Sequence, residues 1–181
     1  MAFHSIAEIF AANEAAQARF AASLSTLSAA QANFRPADDR WTIAEIAEHV
    51  SIVNDGFLRI THKLLKQAEA ASKPPKPELN LGPTSLNEKG EQHPAKFSAP
   101  DRVKPQGGGT IEGALAKMRE TLDGFVLIQA RIEATDLSDE KFPHPALGDI
   151  NAYQWMILLA EHLDRHRLQI EQVKATAGFP G

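Results

Sequence analysis

Residues 155–173, WMILLAEHLDRHRLQIEQV, decide the fold, because apolar side chains recur there every three or four positions. This spacing puts them on one face of an α-helix, and such a face must be buried against other helices. The face also carries two histidines four residues apart, with Cβ atoms roughly 5 to 6 Å from each other. The members of the face are Trp155, Leu159, His162, His166, Ile170 and Val173. A buried imidazole needs a hydrogen-bond partner or a metal ion, since an unsatisfied buried polar group costs about 1 to 3 kcal/mol.

Two further helices are predicted in the first 71 residues. The S-x-x-E spacing at residues 5–8 is that of a capping box, in which two side chains satisfy backbone N–H groups at a helix start. Helix one should begin there and run until the Asn33 to Pro36 region breaks it. The T-x-x-E spacing at residues 42–45 predicts the start of helix two, whose apolar periodicity lasts to about Ala71.

The second half of the chain predicts two more helices. Thr110 is suited to cap helix three, which should end near Ala134. A segment with two prolines and a glycine follows, and helix four should start near Asp149 or Asn151 and end around Thr176. Since no stretch shows sustained β alternation, the sequence predicts an all-α four-helix bundle.

The segment from about residue 72 to 109 is rich in proline and glycine and therefore unlike continuous helix. A connection of this length is uncommon in a compact domain unless it crosses from one end to the other or borders a site. We therefore expect a long crossover between helices two and three. The length of 181 residues favours a single domain over residues 1–181.

Composition narrows the class of function. With a net charge of −4 and no Lys/Arg run, the sequence predicts no nucleic-acid partner. No apolar stretch approaches the roughly 18 to 20 residues that span a bilayer, and the first residues do not resemble a signal peptide, so we expect a cytoplasmic protein without a membrane partner. The sequence contains no cysteine, so any metal site must use His, Asp or Glu.

A third histidine completes a potential metal site. His49 lies on helix two beside Ile46 and Val53, at the edge of its apolar face. Together with His162 and His166 it could bind a borderline divalent ion such as zinc, nickel or iron, with coordination positions left open for water or substrate.

Two stretches of the sequence resemble the DinB-like (YfiT-like) metalloenzyme superfamily. They are WTIAEIAEHV at residues 41–50 and HPALGDINAYQWMILLAEHLDRHRLQI at residues 144–170. The resemblance implies a four-helix bundle with a long crossover after helix two, and a divalent metal held by His49, His162 and His166. It also implies either metal-dependent hydrolysis or transfer of a low-molecular-weight thiol such as bacillithiol, mycothiol or glutathione to a small-molecule substrate.

The alternative is a non-catalytic bundle that binds metal or a protein partner, and dimerisation is left open. Because the chain has no cysteine, a thiol would have to come from a cosubstrate.

No catalytic residue or general base is identified by spacing. Glu45 is explained by capping, Glu161 and Asp164 as solvated charges, and Trp41 and Trp155 as packing residues. Gly56 could leave room for a ligand or serve a helix contact. His144, in the turn at residues 142–145, could reach the mouth of the bundle, although a lone loop histidine is usually exposed. His4, His62 and His93 have no cluster around them in the sequence.

Overall fold

The computed structural model describes residues 2–75, 78–79, 81–82 and 99–181. It is mostly helical, as predicted. The helices of the described residues are α1 (Ile6–Leu24), α2 (Ala29–Ala32), α3 (Ile43–Ala70), a 3-10 helix (Asp101–Val103), α4 (Ile111–Glu133) and α5 (Ala152–Lys174). The strands β1 (Lys141–His144) and β2 (Gly148–Asn151) form a small sheet.

Local capping explains where the long helices begin. At the start of α3, the Thr42 hydroxyl accepts a hydrogen bond from the Glu45 N–H at 3.1 Å, and the Glu45 carboxylate accepts one from the Thr42 N–H at 2.8 Å. This reciprocal pair confirms the predicted capping box. The hydroxyl of Thr110 likewise accepts from the Gly113 N–H at 3.0 Å and starts α4. The Asn151 side chain caps α5.

The prediction of one helix from Ser5 to the Asn33–Pro36 region was wrong, because α1 ends at Leu24. Thr26 adopts a φ of 66°, in the left-handed region that α-helical residues do not occupy. Ser28 and Gln31 then form a capping box of their own and start the four-residue helix α2. The chain therefore turns between the two helices well before Asn33.

The prediction of no strands was also wrong in the segment before helix four. Strands β1 and β2 pair antiparallel, with Lys141 opposite Asn151 and His144 opposite Gly148. Gly148 has a φ of 69°, which a residue without Cβ adopts at little cost after a short hairpin loop. Proline is tolerated in β1 because a two-stranded sheet has only edge strands. The indole N–H of Trp155 donates to the Phe142 carbonyl at 3.2 Å and ties the hairpin to α5.

Four long helices enclose the hydrophobic core. Helix α3 packs against α4 and α5, and α1 packs against the same two helices from the other side. The largest fully buried side chains include Phe20, Ile46, Leu64, Met118, Phe125, Ile132, Tyr153 and Met156. Each such side chain contributes about 1.5 to 3 kcal/mol on burial, so the core holds the helix faces that carry the histidines in place.

The long connection after α3 is described only in part. Phe3 and Leu81 exchange backbone hydrogen bonds of 2.7 and 3.0 Å, which brings this segment next to the start of α1. Residues 83–98, which include His93, lie outside the described residues, so the crossover stays a prediction. None of the described helices is long and apolar enough to cross a membrane.

Candidate metal centre

Three histidines from two helices converge near the middle of the bundle. His49 comes from α3, and His162 and His166 come from successive turns of α5. One ring nitrogen from each lies within 4.8 Å of the others, a separation that could hold one metal ion. The ring centroids are 4.4 Å apart for His162 and His166, 4.9 Å for His49 and His166, and 5.3 Å for His49 and His162. The structure thus brings together all three residues singled out in the sequence.

Hydrogen bonds fix the orientation of two of the three rings. The Nδ1–H of His49 donates to the carbonyl of Val103 at 2.6 Å. The Nδ1–H of His166 donates to Oε1 of Gln169 at 2.7 Å. A carbonyl oxygen can only accept, so the proton resides on Nδ1 of His49 and its Nε2 keeps a free lone pair. The same tautomer of His166 leaves its Nε2 with a free lone pair. Hydrogen bonds of this kind orient histidine ligands in metal sites.

His162 differs from the other two. Its buried Nδ1 has no hydrogen-bond partner among the residues that the structure describes. The ring lies between the other two histidines and Phe57, whose ring centroid is 5.8 Å away. A buried polar nitrogen in such a position is unfavourable unless a further group satisfies the imidazole.

Burial keeps the three imidazoles neutral. It lowers the pKa of His166 to about 3, with the nearby His49 as a further cause. It also lowers the pKa of His162 well below its usual value, and the neighbouring histidines add to that effect. For His49 the lowering of the pKa by burial outweighs the hydrogen bond to Val103, which acts in the opposite direction. Neutral imidazole is the form that binds metal ions, so the site is poised to accept one at neutral pH.

Aromatic rings close the cluster on its sides. Trp41 lies against His49 with ring centroids 4.8 Å apart. Phe57 packs between His162 and the buried Trp155, whose ring centroid is 5.4 Å from its own. Both tryptophans are therefore packing residues, as the sequence predicted, but they pack around the histidines. An apolar wall of this kind excludes water from the ring faces and leaves the nitrogens as the polar groups of the site.

The carboxylates near the histidines in sequence have structural partners. Glu45 completes the capping box and also pairs with Arg35 at 2.7 Å. Asp164 remains partly exposed and accepts two hydrogen bonds from the Arg19 guanidinium of α1. Glu161 is half-buried. Neither Glu45 nor Glu161 nor Asp164 belongs to the histidine cluster.

His144 is the fourth histidine of this region. It lies at the end of β1, half-buried, with its ring centroid 5.2 Å from that of Trp155. Burial lowers its pKa. The sequence favoured an exposed loop position for His144, because the hairpin that carries it toward Trp155 was not predicted. His4 and His62 do not belong to the cluster.

Three residues around the cluster were missed in the sequence. Gln169 follows His166 by three positions, so helical spacing could have identified it. Val103 is 54 residues from His49, in a segment without a recognisable pattern, and no signal pointed to it. The exposed Arg165 stands between the paired histidines in sequence, and its positive charge lowers the pKa of all three members of the cluster.

A helical bundle with three convergent histidines from two helices defines a class of protein whose core could hold a divalent metal. The family model described as the DinB superfamily matches residues 12–170. The chain belongs to this superfamily, as its sequence motifs indicated.

Two individual proteins are similar to the chain. The "Uncharacterized protein YuaE" of Bacillus subtilis (strain 168) is 24% identical over 155 residues, which cover 83% of this chain and 88% of that protein. The crystal structure of TT2238, described as a four-helix bundle protein, superposes with a TM-score of 0.60 at 19% identity and covers 93% of this chain and 99% of its own. At this identity the second likeness supports the fold alone.

Proposed function

We propose that the protein is a divalent-metal-dependent enzyme whose ion is held by His49, His162 and His166. The observation that carries this proposal is that one ring nitrogen from each of the three histidines lies within 4.8 Å of the others. His49 and His166 each use Nδ1 for a hydrogen bond, so Nε2 is the nitrogen that each keeps free for an ion. Superfamily membership and the three-histidine cluster are both compatible with this function.

The donor set fits a divalent ion. Three neutral imidazoles suit zinc, nickel or iron, and an ion held by three protein ligands keeps room for a further ligand. The buried, unpartnered nitrogen of His162 adds to the fit, because binding an ion at either ring nitrogen fixes the ring and its tautomer. When bound, such an ion supplies a nucleophile at neutral pH, from water or from a small-molecule thiol.

The surrounding residues have distinct roles in this proposal. Val103 and Gln169 hold two of the imidazoles in the orientation that binding requires. Trp41 and Phe57 exclude water from the ring faces. Arg165 adds positive charge near the site and thereby favours an anionic nucleophile or substrate over a cationic one.

Two reactions remain within this proposal, hydrolysis and S-transfer from a low-molecular-weight thiol. The absence of cysteine means that the sulfur of a transfer reaction must come from a cosubstrate.

We also infer that the connection after α3 crosses the bundle. Leu58 lies beside Gly124, and Glu69 pairs with Arg131 at 2.7 Å, as expected if α3 and α4 run in the same direction.

The test is metal content after purification without a histidine tag. Wild type is compared with a His162→Ala, His166→Ala variant and with His62→Ala, a histidine outside the cluster. We expect close to one equivalent of zinc, nickel or iron in wild type and in His62→Ala, and a loss of most of it in the double variant. Equal, substoichiometric metal in all three would overturn the proposal.

Assays of the metal-loaded protein then distinguish hydrolysis from S-transfer. It is incubated with an ester and with an electrophile, each in the presence and absence of glutathione, bacillithiol or mycothiol. A rate that rises with one thiol supports S-transfer, and a rate independent of thiol supports hydrolysis. A fully loaded protein without activity in any of these assays would favour the non-catalytic alternative.

A further inference from the structure

A cleft of about 530 Å³ lies in the described part of the protein, and none of the three clustered histidines lines it. Ligand clefts in proteins commonly measure roughly 300 to 1,000 Å³, so this one could take a small molecule. Its lining combines α3, the 3-10 helix and β1, through Gly56, Arg59, Ile60, Arg102, Phe142 and His144. Segments far apart in sequence thus meet around one space.

Residues that line the cleft adjoin the surroundings of the candidate metal centre. Gly56 directly precedes Phe57, which packs against His162. Arg102 directly precedes Val103, whose carbonyl fixes His49. The ring of His144 lies 5.2 Å from that of Trp155, which packs on Phe57. The lining of the cleft and the surroundings of the cluster therefore adjoin at these three places, although none of the three imidazoles lines the cleft.

The charges of the lining are of one sign. Arg59 and Arg102 come from different elements, and no acidic side chain is among the described residues that line the cleft. Arg59 pairs with Asp55 on its own helix at 2.8 Å, but 71% of its side chain remains exposed. Within the described ranges, Arg102 has no ion pair or hydrogen bond from its guanidinium. Guanidinium groups bind carboxylates through paired hydrogen bonds, so the lining is suited to an anion.

A second cleft, of about 400 Å³, provides a contrast. It lies at the starts of α3 and α4, and two glutamates, Glu45 and Glu48, face the same space as Arg35. Its carboxylates would oppose an anion. The first cleft is therefore the better candidate for an acidic ligand.

One wall of the first cleft is apolar. Ile60 and Phe142 line it together with two prolines of the hairpin. Its base is open at Gly56, because a Cβ atom built there would have no described atom within 4 Å. Gly124 differs, since a Cβ there would lie 2.5 Å from Leu58, as in a close helix contact. The space at Gly56 favours the ligand interpretation of this glycine over a helix contact.

From these observations we infer that the cleft binds a small organic carboxylate with an apolar body, held by Arg59 and Arg102 beside the metal centre. The inference rests on the proposed function, because it names the substrate class of that same site. The carboxylate meets the two guanidinium groups, and the apolar body lies against Ile60 and Phe142.

Titration with phenylacetate tests this inference, with its neutral amide, phenylacetamide, as the matched ligand. Binding is followed by NMR of the purified protein. We expect phenylacetate to shift signals of the cleft residues, and the amide to bind at least ten-fold more weakly. An Arg59→Gln, Arg102→Gln variant should lose the preference for phenylacetate, whereas Arg119→Gln, an exposed arginine on α4, should retain it.

Blocking the cleft provides a test that leaves the charges unchanged. In Gly56→Leu the new side chain enters open space, and leucine is a better helix former than glycine, so the variant should fold. It should weaken phenylacetate binding at least ten-fold, while Gly56→Ala should bind nearly as wild type does. Equal binding of acid and amide, or no effect of the arginine and Gly56→Leu variants, would overturn the inference.

The same titration is repeated with the His162→Ala, His166→Ala variant. Phenylacetate binding that persists in this variant supports the cleft as an anion site separate from the metal. Binding that disappears with the histidines but survives the loss of both arginines would show coordination to the metal, and would overturn the inference while leaving the proposed function intact. Failure of metal loading in wild type would count against the proposed function alone.

Discussion

The imidazole of His166 donates from Nδ1 to Oε1 of Gln169, one turn further along α5, at 2.7 Å. This bond selects the tautomer in which Nε2 keeps a free lone pair. Because both residues belong to the same helix, the orientation does not depend on loop conformation. It is therefore the most direct point at which to test the candidate metal centre without removing one of its histidines.

Gln169→Leu should reduce metal affinity by roughly 10- to 100-fold, the usual cost of removing a group that orients a ligand. The ring of His166 would lose its fixed tautomer while the helix remains intact. Competition with a chelator of known affinity measures the change. Gln172→Leu, an exposed glutamine on the same helix, is the control and should bind metal as wild type does. Equal affinities for the two variants would contradict the role given to Gln169.

The metal-free protein should become less stable as the pH falls from about 6.5 to 5. Burial lowers the pKa of His166 to about 3, whereas the pKa of an unfolded histidine is about 6.5. Between these values the unfolded state binds more protons, so acid favours unfolding. Each histidine of this kind reduces the free energy of unfolding by up to about 1.4 kcal/mol per pH unit.

Urea unfolding in the presence of a chelator, at pH 6.5 and pH 5, measures this dependence. The variant His166→Gln removes one of the three titrating groups, so its stability should depend less steeply on pH than that of wild type. His62→Gln, which changes a histidine outside the cluster, should leave the steepness unchanged. The same steepness in His166→Gln and wild type would argue against a neutral, buried His166.

Asn54→Leu should raise the free energy of unfolding by about 1 to 3 kcal/mol. Asn54 is fully buried on α3, and neither its side-chain nitrogen nor its oxygen has a hydrogen-bond partner among the described residues. A leucine of similar size removes two unsatisfied polar groups from the core. Thermal and urea unfolding measure the effect. A decrease in stability would instead indicate that internal water bonds the amide.

Thr42→Ala should lower the free energy of unfolding by about 1 kcal/mol, because it removes the hydroxyl that caps α3. Thr42→Ser keeps a hydroxyl at the same position and should retain most of the stability. Urea unfolding compares the two variants. If alanine and serine had the same effect, the methyl group of Thr42 and not its hydroxyl would be the stabilising part.

Much of the helical framework could be predicted because its signals are local. The Thr42–Glu45 capping box and the Thr110 cap act over three residues, and both are found where the sequence indicated. The convergence of His49 on the α5 pair followed from helical periodicity combined with the resemblance to a family. In these cases the two partners lie about one helical turn apart, or they lie on helix faces that the apolar periodicity defines.

The remainder depends on contacts that sequence spacing does not encode. The turn at Thr26 interrupts a continuous apolar pattern, so helix one was predicted too long. Strand β1 is four residues long and contains a proline, which leaves almost no alternation to detect. The cleft is lined by Arg59 and Arg102, which come from two separate elements. Each of these features is fixed by tertiary packing, which overrides local preference.

The hydrogen bond between His49 and Val103 links the long connection after α3 to the candidate metal centre. The imidazole of His49 would bind the ion through Nε2, and it holds the end of the connection through Nδ1. Ion binding and ordering of the connection are therefore reciprocally coupled. If an ordered segment Asp101–Val103 strengthens ion binding by a given free energy, ion binding stabilises the ordered segment by the same amount. Arg102 lies within this segment, so ion binding by the histidines would also stabilise the position of Arg102 in the lining of the cleft.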